Sequence, residues 1–266
     1  MTEEITKKQL QQQLEEMEIR PQDTVAIHTS LRAVGPVEGG AEAFLEAFTD
    51  YLSEGLLVVP THTWASVGPD HPVYDVRKTA PCVGIVPQIA AFHPRGVRSM
   101  HATHSVAVFG RRAEEYAASD LKAHTPTPED GCFGRLYEEK AKILLIGVGQ
   151  ERNTFLHVSE EIAQVPQRLT AEPIPIRMID QEGRETVRSF YKHYNPVCAH
   201  ISENFVKFDL PFARCGAVQE GRLGNARVRV CDAVKCQNET LRLWSLAEDD
   251  LTVDQKSIPE EWYSPF

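Results

Sequence analysis

The sequence of 266 residues lacks any Cys-x-x-Cys pair, any long apolar run and any excess of positive charge. Its six cysteines are scattered, which argues against structural zinc and against a disulfide framework in a chain of this size. We expect them to be mostly small buried hydrophobes. They are Cys82, Cys132, Cys198, Cys215, Cys231 and Cys236.

Other absences limit the expected location of the chain and the classes of partner that it binds. No apolar run approaches the roughly 20 residues of a membrane span, so no membrane partner is expected. Residues 1–20 are charged and helical in pattern rather than signal-like, which makes the cytoplasm the default location. A net charge of −10 disfavours nucleic acid as a partner and suits a cationic small substrate.

Three catalytic signatures are also missing. The chain has no Walker loop and no Gly-x-Gly-x-x-Gly fingerprint, so neither nucleotide hydrolysis nor the usual dinucleotide mode is supported. It has no His-Glu-x-x-His element, and the spacing of its histidines dictates no tetrahedral site. We predict no bound metal, and a metal-dependent amidohydrolase built on the histidines is an alternative.

What is present is an alternation of strand-like and helix-like segments. Apolar periodicity predicts strands over 24–28, 56–59, 106–109 and 143–146, and helices over 4–18, 41–52 and 85–92. This alternation predicts an α/β fold with a layered α/β/α core over about 5–165. Beyond it we predict a β-rich C-terminal portion over about 166–266, both within a single domain, 1–266.

Irregular segments are predicted at three places. Residues 66–82, rich in Pro, Gly and Asp, and residues 123–130 have the composition of loops. Long loops in compact domains are more often functional than not. The acidic tail from Glu248 onward is predicted to be peripheral.

A glycine-containing turn follows the first predicted strand, from His28 to Gly40. Glycines there let backbone amides approach an anion, and the start of the next helix favours negative charge. An ordinary strand-to-helix loop would have the same local pattern. This segment alone therefore assigns no function.

His157 and Glu160 are spaced i,i+3 on a helix predicted to begin near Asn153 or Thr154, directly after the strand 143–146. In α/β proteins, ligands bind at the carboxyl ends of strands. A histidine beside a carboxylate is suited to act as a general base near pH 7. Taken alone, the two residues could equally be a weak exposed helical pair.

Two further segments concentrate imidazole and aromatic side chains. Segment 60–64, Pro-Thr-His-Thr-Trp, follows a buried strand, so His62 and Trp64 should emerge at a carboxyl end, with Trp64 as an apolar wall. Segment 101–107, His-Ala-Thr-His-Ser-Val-Ala, precedes another strand. Hydrogen-bonded structural roles and substrate contacts are both open for these histidines.

Taken in order, these segments resemble motifs of the aminoglycoside 3-N-acetyltransferase family, whose antibiotic N-acetyltransferase fold is distinct from the common GNAT acyltransferases. The strongest match is His-Thr-Ser-Leu-Arg-Ala-Val-Gly-Pro-Val-Glu-Gly-Gly at 28–40. It continues through 60–64, 101–107 with the 124–128 loop, and Asn-Thr-Phe-Leu-His-Val-Ser-Glu at 153–160. The resemblance covers roughly residues 5–235 and is weak after Pro166.

The resemblance implies an acetyl-coenzyme A-dependent transferase that acetylates an amine of an aminoglycoside antibiotic, with His157 as general base and Glu160 as its partner. The implied coenzyme contacts are Ser30, Leu31, Arg32, Val34, Gly35, Val37, Ser105, Val106 and Ala107. The expected acceptor contacts are His62, Trp64, His104 and His124. Asp70, Asp75 and Glu203 are candidates for attracting a polycation.

We predict direct transfer in a ternary complex, and a homodimer is a further expectation. A ping-pong enzyme using Cys82 or Cys132 is an alternative. So are an acyltransferase of a non-aminoglycoside amine and a non-catalytic coenzyme A-binding protein. The region after Pro166 would shape the acceptor site and matches only loosely, so the reaction class is better defined than the acceptor.

Overall fold

A seven-stranded mixed sheet is the centre of the fold in the computed structural model, which describes residues 4–264. The strands are β1 (Thr24–Thr29), β2 (Leu56–Pro60), β3 (Val73–Asp75), β4 (Val97–Arg98), β5 (Val106–Phe109), β6 (Lys142–Ile146), β7 (Ile174–Ile179), β8 (Glu185–Phe190), β9 (Val218–Leu223) and β10 (Ala226–Asp232).

Helices connect and cover these strands. They are α1 (Lys7–Glu16), α2 (Leu31–Val34), α3 (Gly40–Tyr51), α4 (Ile85–Ala91), α5 (Ala113–Ala117), α6 (Arg135–Glu138), α7 (Leu156–Ile162), α8 (Asp209–Arg214) and α9 (Ala233–Leu246). Short 3₁₀ helices occupy Ala118–Lys122, Gln150–Arg152, Ile201–Phe208 and Glu260–Trp262. Among residues 4–264, no helix is long and apolar enough to cross a membrane.

The large sheet has the strand order β4-β5-β2-β1-β6-β10-β9. β1 pairs in parallel with both β2 and β6, with Ala26 opposite Val58 on one side and Ile143 on the other. The remaining pairings in this sheet are antiparallel. Because β1, β2 and β6 are parallel, their carboxyl ends meet at one edge of the sheet, where α/β proteins bind ligands.

The central strands are apolar on both faces, as expected of strands covered by helices on each side. On one face, Val25 and Ile27 of β1 pack with residues of α1, α3 and α4. On the other face, Ala26 packs with residues of α5 to α9. The predicted α/β fold with a layered α/β/α core is confirmed.

The C-terminal portion supplies strands to two sheets. β9 and β10 extend the large sheet beyond β6, and β7 and β8 form a three-stranded sheet with β3. Its predicted β-rich character agrees with these strands. The sequence analysis missed α9, although Asp232 caps it by accepting a hydrogen bond from the Lys235 amide.

Two local predictions are wrong. Segment 66–82, predicted as a loop, contains β3, which pairs in parallel with β7 from a distant part of the chain. The tail from Glu248, predicted to be peripheral, buries Thr252 completely. A smaller difference concerns α7, which begins at Leu156 rather than near Asn153 because a 3₁₀ helix precedes it.

Candidate active site

A cleft of about 710 Å³ opens at the carboxyl ends of the parallel strands. His28 and Thr29 of β1, His62 just after β2 and Val148 just after β6 line one side of it. Residues 192–195 and 198–202, which follow β8, line the other side. The fold thus brings the C-terminal portion over the strand ends, and its role in shaping an acceptor site stays a prediction.

His157 lies in this cleft on the first turn of α7 and is paired with Glu160. Its Nδ1 atom is 2.6 Å from Oε2 of Glu160, and the glutamate side chain is 2% exposed. A carboxylate beside Nδ1 holds the tautomer with the proton on that nitrogen, which leaves Nε2 free to accept a proton. The pair is therefore largely buried, with side chains 13% and 2% exposed, rather than an exposed helical pair.

The second oxygen of Glu160 is held by two residues that the sequence analysis did not predict. Arg168 Nε donates to Oε1 at 2.8 Å, and Thr252 Oγ1 donates to the same oxygen at 3.0 Å. Arg168 also forms an ion pair with Asp250. The buried side chains of Glu160 and Arg168 are thus paired and hydrogen-bonded to each other and to their neighbours, as buried charged groups generally are.

A row of histidine rings in tilted and edge-on contact continues from His157 across the cleft. The ring centroids of His157 and His193 are 4.1 Å apart, those of His193 and His104 are 5.0 Å apart, and those of His104 and His62 are 4.7 Å apart. Burial lowers the pKa of His193, His104 and His62 well below the usual value, and other imidazoles nearby, His157 among them for all three, lower it further. These three rings are neutral at pH 7.

His193 is a cleft residue that sequence reasoning missed. It follows β8 and pairs with Leu169 in an isolated β-bridge. No motif marks it, because it lies in the region after Pro166 where the family resemblance is weak. Burial likewise lowers the pKa of His28, to about 4, so this cleft histidine is also neutral at pH 7.

Of the four predicted acceptor contacts, the structure brings three into the cleft. His62, Trp64 and His104 line it, and Trp64 stays 47% exposed as an aromatic wall at its mouth. His124 is outside the lining, because its Nδ1 atom bonds the Ser189 carbonyl oxygen of β8 at 3.0 Å. Its role as an acceptor contact is therefore not supported by its position.

The predicted coenzyme contacts between Ser30 and Val37 differ in their surroundings: some cap a helix or lie in the core, and others are partly or fully exposed. Ser30 caps α2, where its Oγ accepts a hydrogen bond from the Ala33 amide. Val34 and Val37 are buried in the core. Gly35 has φ +93°, and a Cβ atom at this position would clash with the Asn225 side chain. Leu31 is half-buried, and Arg32 is exposed.

The second predicted coenzyme segment lies behind the cleft wall. Ser105 is fully buried, and its hydroxyl donates to the Thr61 carbonyl oxygen at 2.9 Å. Val106 and Ala107 are fully buried on opposite faces of the sheet, in separate clusters of the core. The prediction that their side chains line a pantetheine channel is not supported, because β5 turns them into the core.

The structure gives little support to the two alternative enzymes, the ping-pong enzyme that uses a cysteine and the metal-dependent amidohydrolase. Cys82 lines the cleft and Cys132 is buried, and burial raises the pKa of both thiols, which makes a thiolate scarce at pH 7. Cys82 is exposed and Cys198 and Cys215 are half-buried, so only three of the six are buried hydrophobes. Within residues 4–264, no group of three potential ligand side chains could hold a metal ion.

Comparison with known proteins decides the family. A sequence model of the family described as aminoglycoside 3-N-acetyltransferase matches residues 26–244. The chain belongs to this family. Aminoglycoside N(3)-acetyltransferase IV from Salmonella sp. is 28% identical over 82% of this chain and 79% of its own length. Aminoglycoside N(3)-acetyltransferase IX from Micromonospora chalcea is 27% identical over 86% and 89%.

Solved structures of the family share the fold. A histidine-to-alanine mutant of aminoglycoside acetyltransferase AAC(3)-IVa, in complex with a gentamicin, has a TM-score of 0.76 at 27% identity, covering 91% of this chain and 88% of that chain. AAC-IIIb, solved with CoASH, has a TM-score of 0.76 at 18% identity, covering 90% and 96%. The predicted family and its transferase class are confirmed.

Proposed function

We propose that this protein transfers the acetyl group of acetyl-coenzyme A directly to an amine bound in the cleft, with His157 as the general base. The observation that carries the proposal is the buried His157–Glu160 pair, which leaves one ring nitrogen facing a cleft at the strand ends. The reaction class is that of the transferase family to which the chain belongs. Arg168 and Thr252 hold Glu160, and through it the imidazole, in place.

The proton balance follows from the reaction. An ammonium acceptor loses one proton to solvent before its nitrogen can attack the thioester carbon. As the new C–N bond forms, His157 Nε2 takes a second proton from that nitrogen, and Glu160 stabilises the resulting imidazolium. When the C–S bond breaks, the same proton passes to the departing sulfur, so the products are the amide and the free thiol of coenzyme A.

The coenzyme is proposed to enter beside the turn from Ser30 to Val37. Gly147, at the end of β6, packs directly against Ala33, so this turn borders the cleft next to Val148. Its backbone amides and the exposed Arg32 guanidinium suit a pyrophosphate. Asn153 is suited to bind an amide N–H of the pantetheine nearby, because its buried Oδ1 atom has no hydrogen-bond partner among the described residues.

The first candidate acceptor is an aminoglycoside, since the relatives named above are aminoglycoside acetyltransferases. A polycationic acceptor requires carboxylates around its amines. Glu151 is the single carboxylate of the lining among residues 4–264, and it already accepts from the Gly149 amide. The predicted acidic residues Asp70, Asp75 and Glu203 lie outside the lining, and the last two are paired with Arg77 and Arg152.

A lysine of the lining favours a second candidate, an amine that carries few positive charges or an anionic group. Of the other cationic side chains that line the cleft, Arg152 is paired with Glu203, and Arg168 is paired with Glu160 and Asp250. Lys192 has no ion-pair partner in the described chain and lies beside Trp64, whose carbonyl oxygen accepts from its Nζ at 3.4 Å. A lysine without an ion-pair partner, close to an exposed tryptophan, is suited to hold a carboxylate on a flat or apolar molecule.

The test follows thiol release from acetyl-coenzyme A with aminoglycosides, simple amines and amino acids as acceptors. We expect acceptor-dependent release that falls about 10²–10⁴-fold in His157→Ala. His71→Ala, which removes an exposed histidine outside the lining, is the matched control. Coenzyme binding without turnover of any amine would instead identify a non-catalytic binding protein, and an acetylated cysteine would identify the ping-pong enzyme.

A charge reversal at Lys192 separates the two acceptor classes. Lys192→Glu should raise kcat/KM for a polycationic acceptor and lower it for an anionic one. Lys256→Glu, on a lysine that is 88% exposed and outside the lining, controls for net charge.

Two further expectations concern the whole protein. Because acetyl-coenzyme A is a cytoplasmic metabolite, we propose the cytoplasm as the location. Gel filtration tests the expected homodimer.

A further inference from the structure

His193 lies directly beside the proposed base. Its ring stacks on His157 with 4.1 Å between centroids and an interplanar angle of 33°, and it meets His104 edge-on at 82°. The ring lines the cleft. A carbonyl carbon attacked by a nitrogen that hydrogen-bonds His157 Nε2 would therefore lie close to the His193 ring.

Both nitrogens of this ring lack a hydrogen-bond partner among residues 4–264, although both are shielded from water. Three other histidines nearby are hydrogen-bonded: His157 pairs with Glu160, His101 bonds the Thr125 carbonyl oxygen, and His104 bonds the Thr103 hydroxyl. Among the other buried histidines of the described chain, only Nε2 of His62, farther from His157, is left without a partner in the same way. Buried polar atoms in native proteins are nearly always satisfied. Two unsatisfied nitrogens on a ring that lines the cleft therefore indicate that a bound molecule completes their hydrogen bonding.

The protonation state of His193 limits what it can do there. Burial lowers its pKa far below the usual value, and the imidazoles of His157 and His62 lower it further. At pH 7 the ring then carries one N–H donor and one bare nitrogen. Such a ring donates a hydrogen bond without placing a positive charge beside an amine substrate.

We propose that His193 donates a hydrogen bond to the carbonyl oxygen of the acetyl thioester and so stabilises the oxyanion of the tetrahedral intermediate. The inference rests on the proposed function, because it assumes acetyl transfer in this cleft. When the amine nitrogen adds, the π pair of the carbonyl moves to oxygen and receives the His193 N–H. When the intermediate collapses, the pair re-forms the C=O bond, the C–S bond breaks, and His193 keeps its proton throughout.

The direct test observes the carbonyl itself and needs no acceptor. A ketone analogue of acetyl-coenzyme A, with a methylene group between sulfur and a ¹³C-labelled carbonyl, binds without reacting. Infrared difference spectra should show its C=O band at lower frequency on the wild-type protein than in solution, and closer to the solution value on His193→Ala. His71→Ala should keep the wild-type band. Identical bands on the wild type and His193→Ala would overturn the proposal.

The kinetic test distinguishes this role from a merely structural one. We expect His193→Ala to lower kcat about 10²–10³-fold, the effect of losing one oxyanion donor. KM for acetyl-coenzyme A should change little by comparison. His193→Asn and His193→Gln, whose amides can replace one ring N–H each, should restore part of kcat in one of the two variants. The acidic limb of the pH–kcat profile should stay in place.

An acidic limb that moves while the plateau of kcat is unchanged would show that His193 only tunes His157, which overturns the proposal. The two levels of inference also fail separately. If neither acetyl-coenzyme A nor its analogue binds, as measured by calorimetry, the proposed function and the role of His193 both fail. If the wild type transfers acetyl groups and the carbonyl band is independent of His193, only the role of His193 fails.

Discussion

At the scale of single residues, the contact between Thr252 and Glu160 has the clearest consequence for the active site. Thr252 is fully buried, and its hydroxyl donates to the glutamate oxygen that Arg168 also binds. Hydrogen bonds to charged groups contribute about 1.5–3 kcal/mol each. The contact therefore links the C-terminal tail to the orientation of His157, although it touches no substrate.

Thr252→Val keeps the shape of the side chain and removes the hydroxyl. We expect the free energy of unfolding to fall by about 1.5–3 kcal/mol. kcat should fall by up to the roughly 10²-fold that a misplaced catalytic group costs, because Glu160 can then rotate. Thr240→Val is the matched control, since that buried hydroxyl bonds the Cys236 carbonyl oxygen within α9. Denaturant titration and steady-state kinetics measure both variants, and an unchanged kcat in Thr252→Val would contradict the positioning role.

Residue types and short spacings predicted part of the site. The i,i+3 spacing of His157 and Glu160 predicted their contact, because one helical turn determines it. Arg168, His193 and Thr252 carried no such signal, since each reaches the site through tertiary contacts. Trp64 and His62 were predicted correctly to emerge at a strand end, whereas His124 bonds β8 instead.

At the scale of elements, the junction between β6 and the α2 turn depends on Gly147. This residue has φ +66°, a conformation that glycine adopts without strain, and the position of a Cβ atom would lie 2.3 Å from the Ala33 methyl carbon. The strand end and the proposed coenzyme turn can therefore pack closely only with glycine at this position. Separation of the two would open the cleft next to Val148.

Gly147→Ala should be more destabilising than Gly40→Ala. Comparing the two variants separates the cost of the left-handed backbone from the cost of a steric clash. Gly40 has φ +69°, yet nothing lies within 4 Å of its would-be Cβ, so its substitution costs only the left-handed backbone, about 1–2 kcal/mol. Gly147→Ala adds the collision with Ala33 and should also weaken binding of acetyl-coenzyme A. Denaturant titration and calorimetry test this, and equal stabilities with equal affinities would show that the turn yields without cost.

Elements with a strong local pattern were the predictable ones. β1, β2, β5 and β6 are short apolar runs, and α3 has regular helical spacing. β3 has only three residues and exists because β7 pairs with it, so its own composition still reads as a loop. The pattern of α9 was hidden by its mixed polar sequence, AVKCQNETLRLWSL, directly after the strand β10.

At the scale of the whole molecule, a set of buried histidines couples stability to pH. Burial lowers the pKa of His28, His62, His101, His104 and His193 below the unfolded value near 6.5. Below that pH these histidines bind protons in the unfolded chain but stay neutral in the folded chain. Their contribution to the free energy of unfolding is therefore fully present above about pH 6.5 and is lost as the pH falls. Glu161 and Asp209, whose pKa burial raises, act in the opposite direction.

Five histidines outweigh two carboxyl groups, so we expect Tm to fall between pH 7 and pH 5. Each buried neutral histidine contributes up to about 1.4 kcal/mol per pH unit in that window. Thermal unfolding of the wild type at half-unit steps measures the slope. It should be shallower in His193→Gln and unchanged in His71→Ala, whose histidine is exposed. A Tm that is flat or rises on acidification would show that these rings are protonated in the fold.

The sequence by itself determined the α/β class, the central strands and the His157–Glu160 pair, because each depends on spacings of a few residues. Its family motifs also determined the reaction class. Only the tertiary structure decided that Thr252, which is 92 residues from Glu160, completes the buried carboxylate network, and that the His193 ring lies against the ring of His157. Such contacts depend on how distant segments pack over the strand ends, and hydrophobic burial of whole elements decides that packing without leaving a local pattern in the chain.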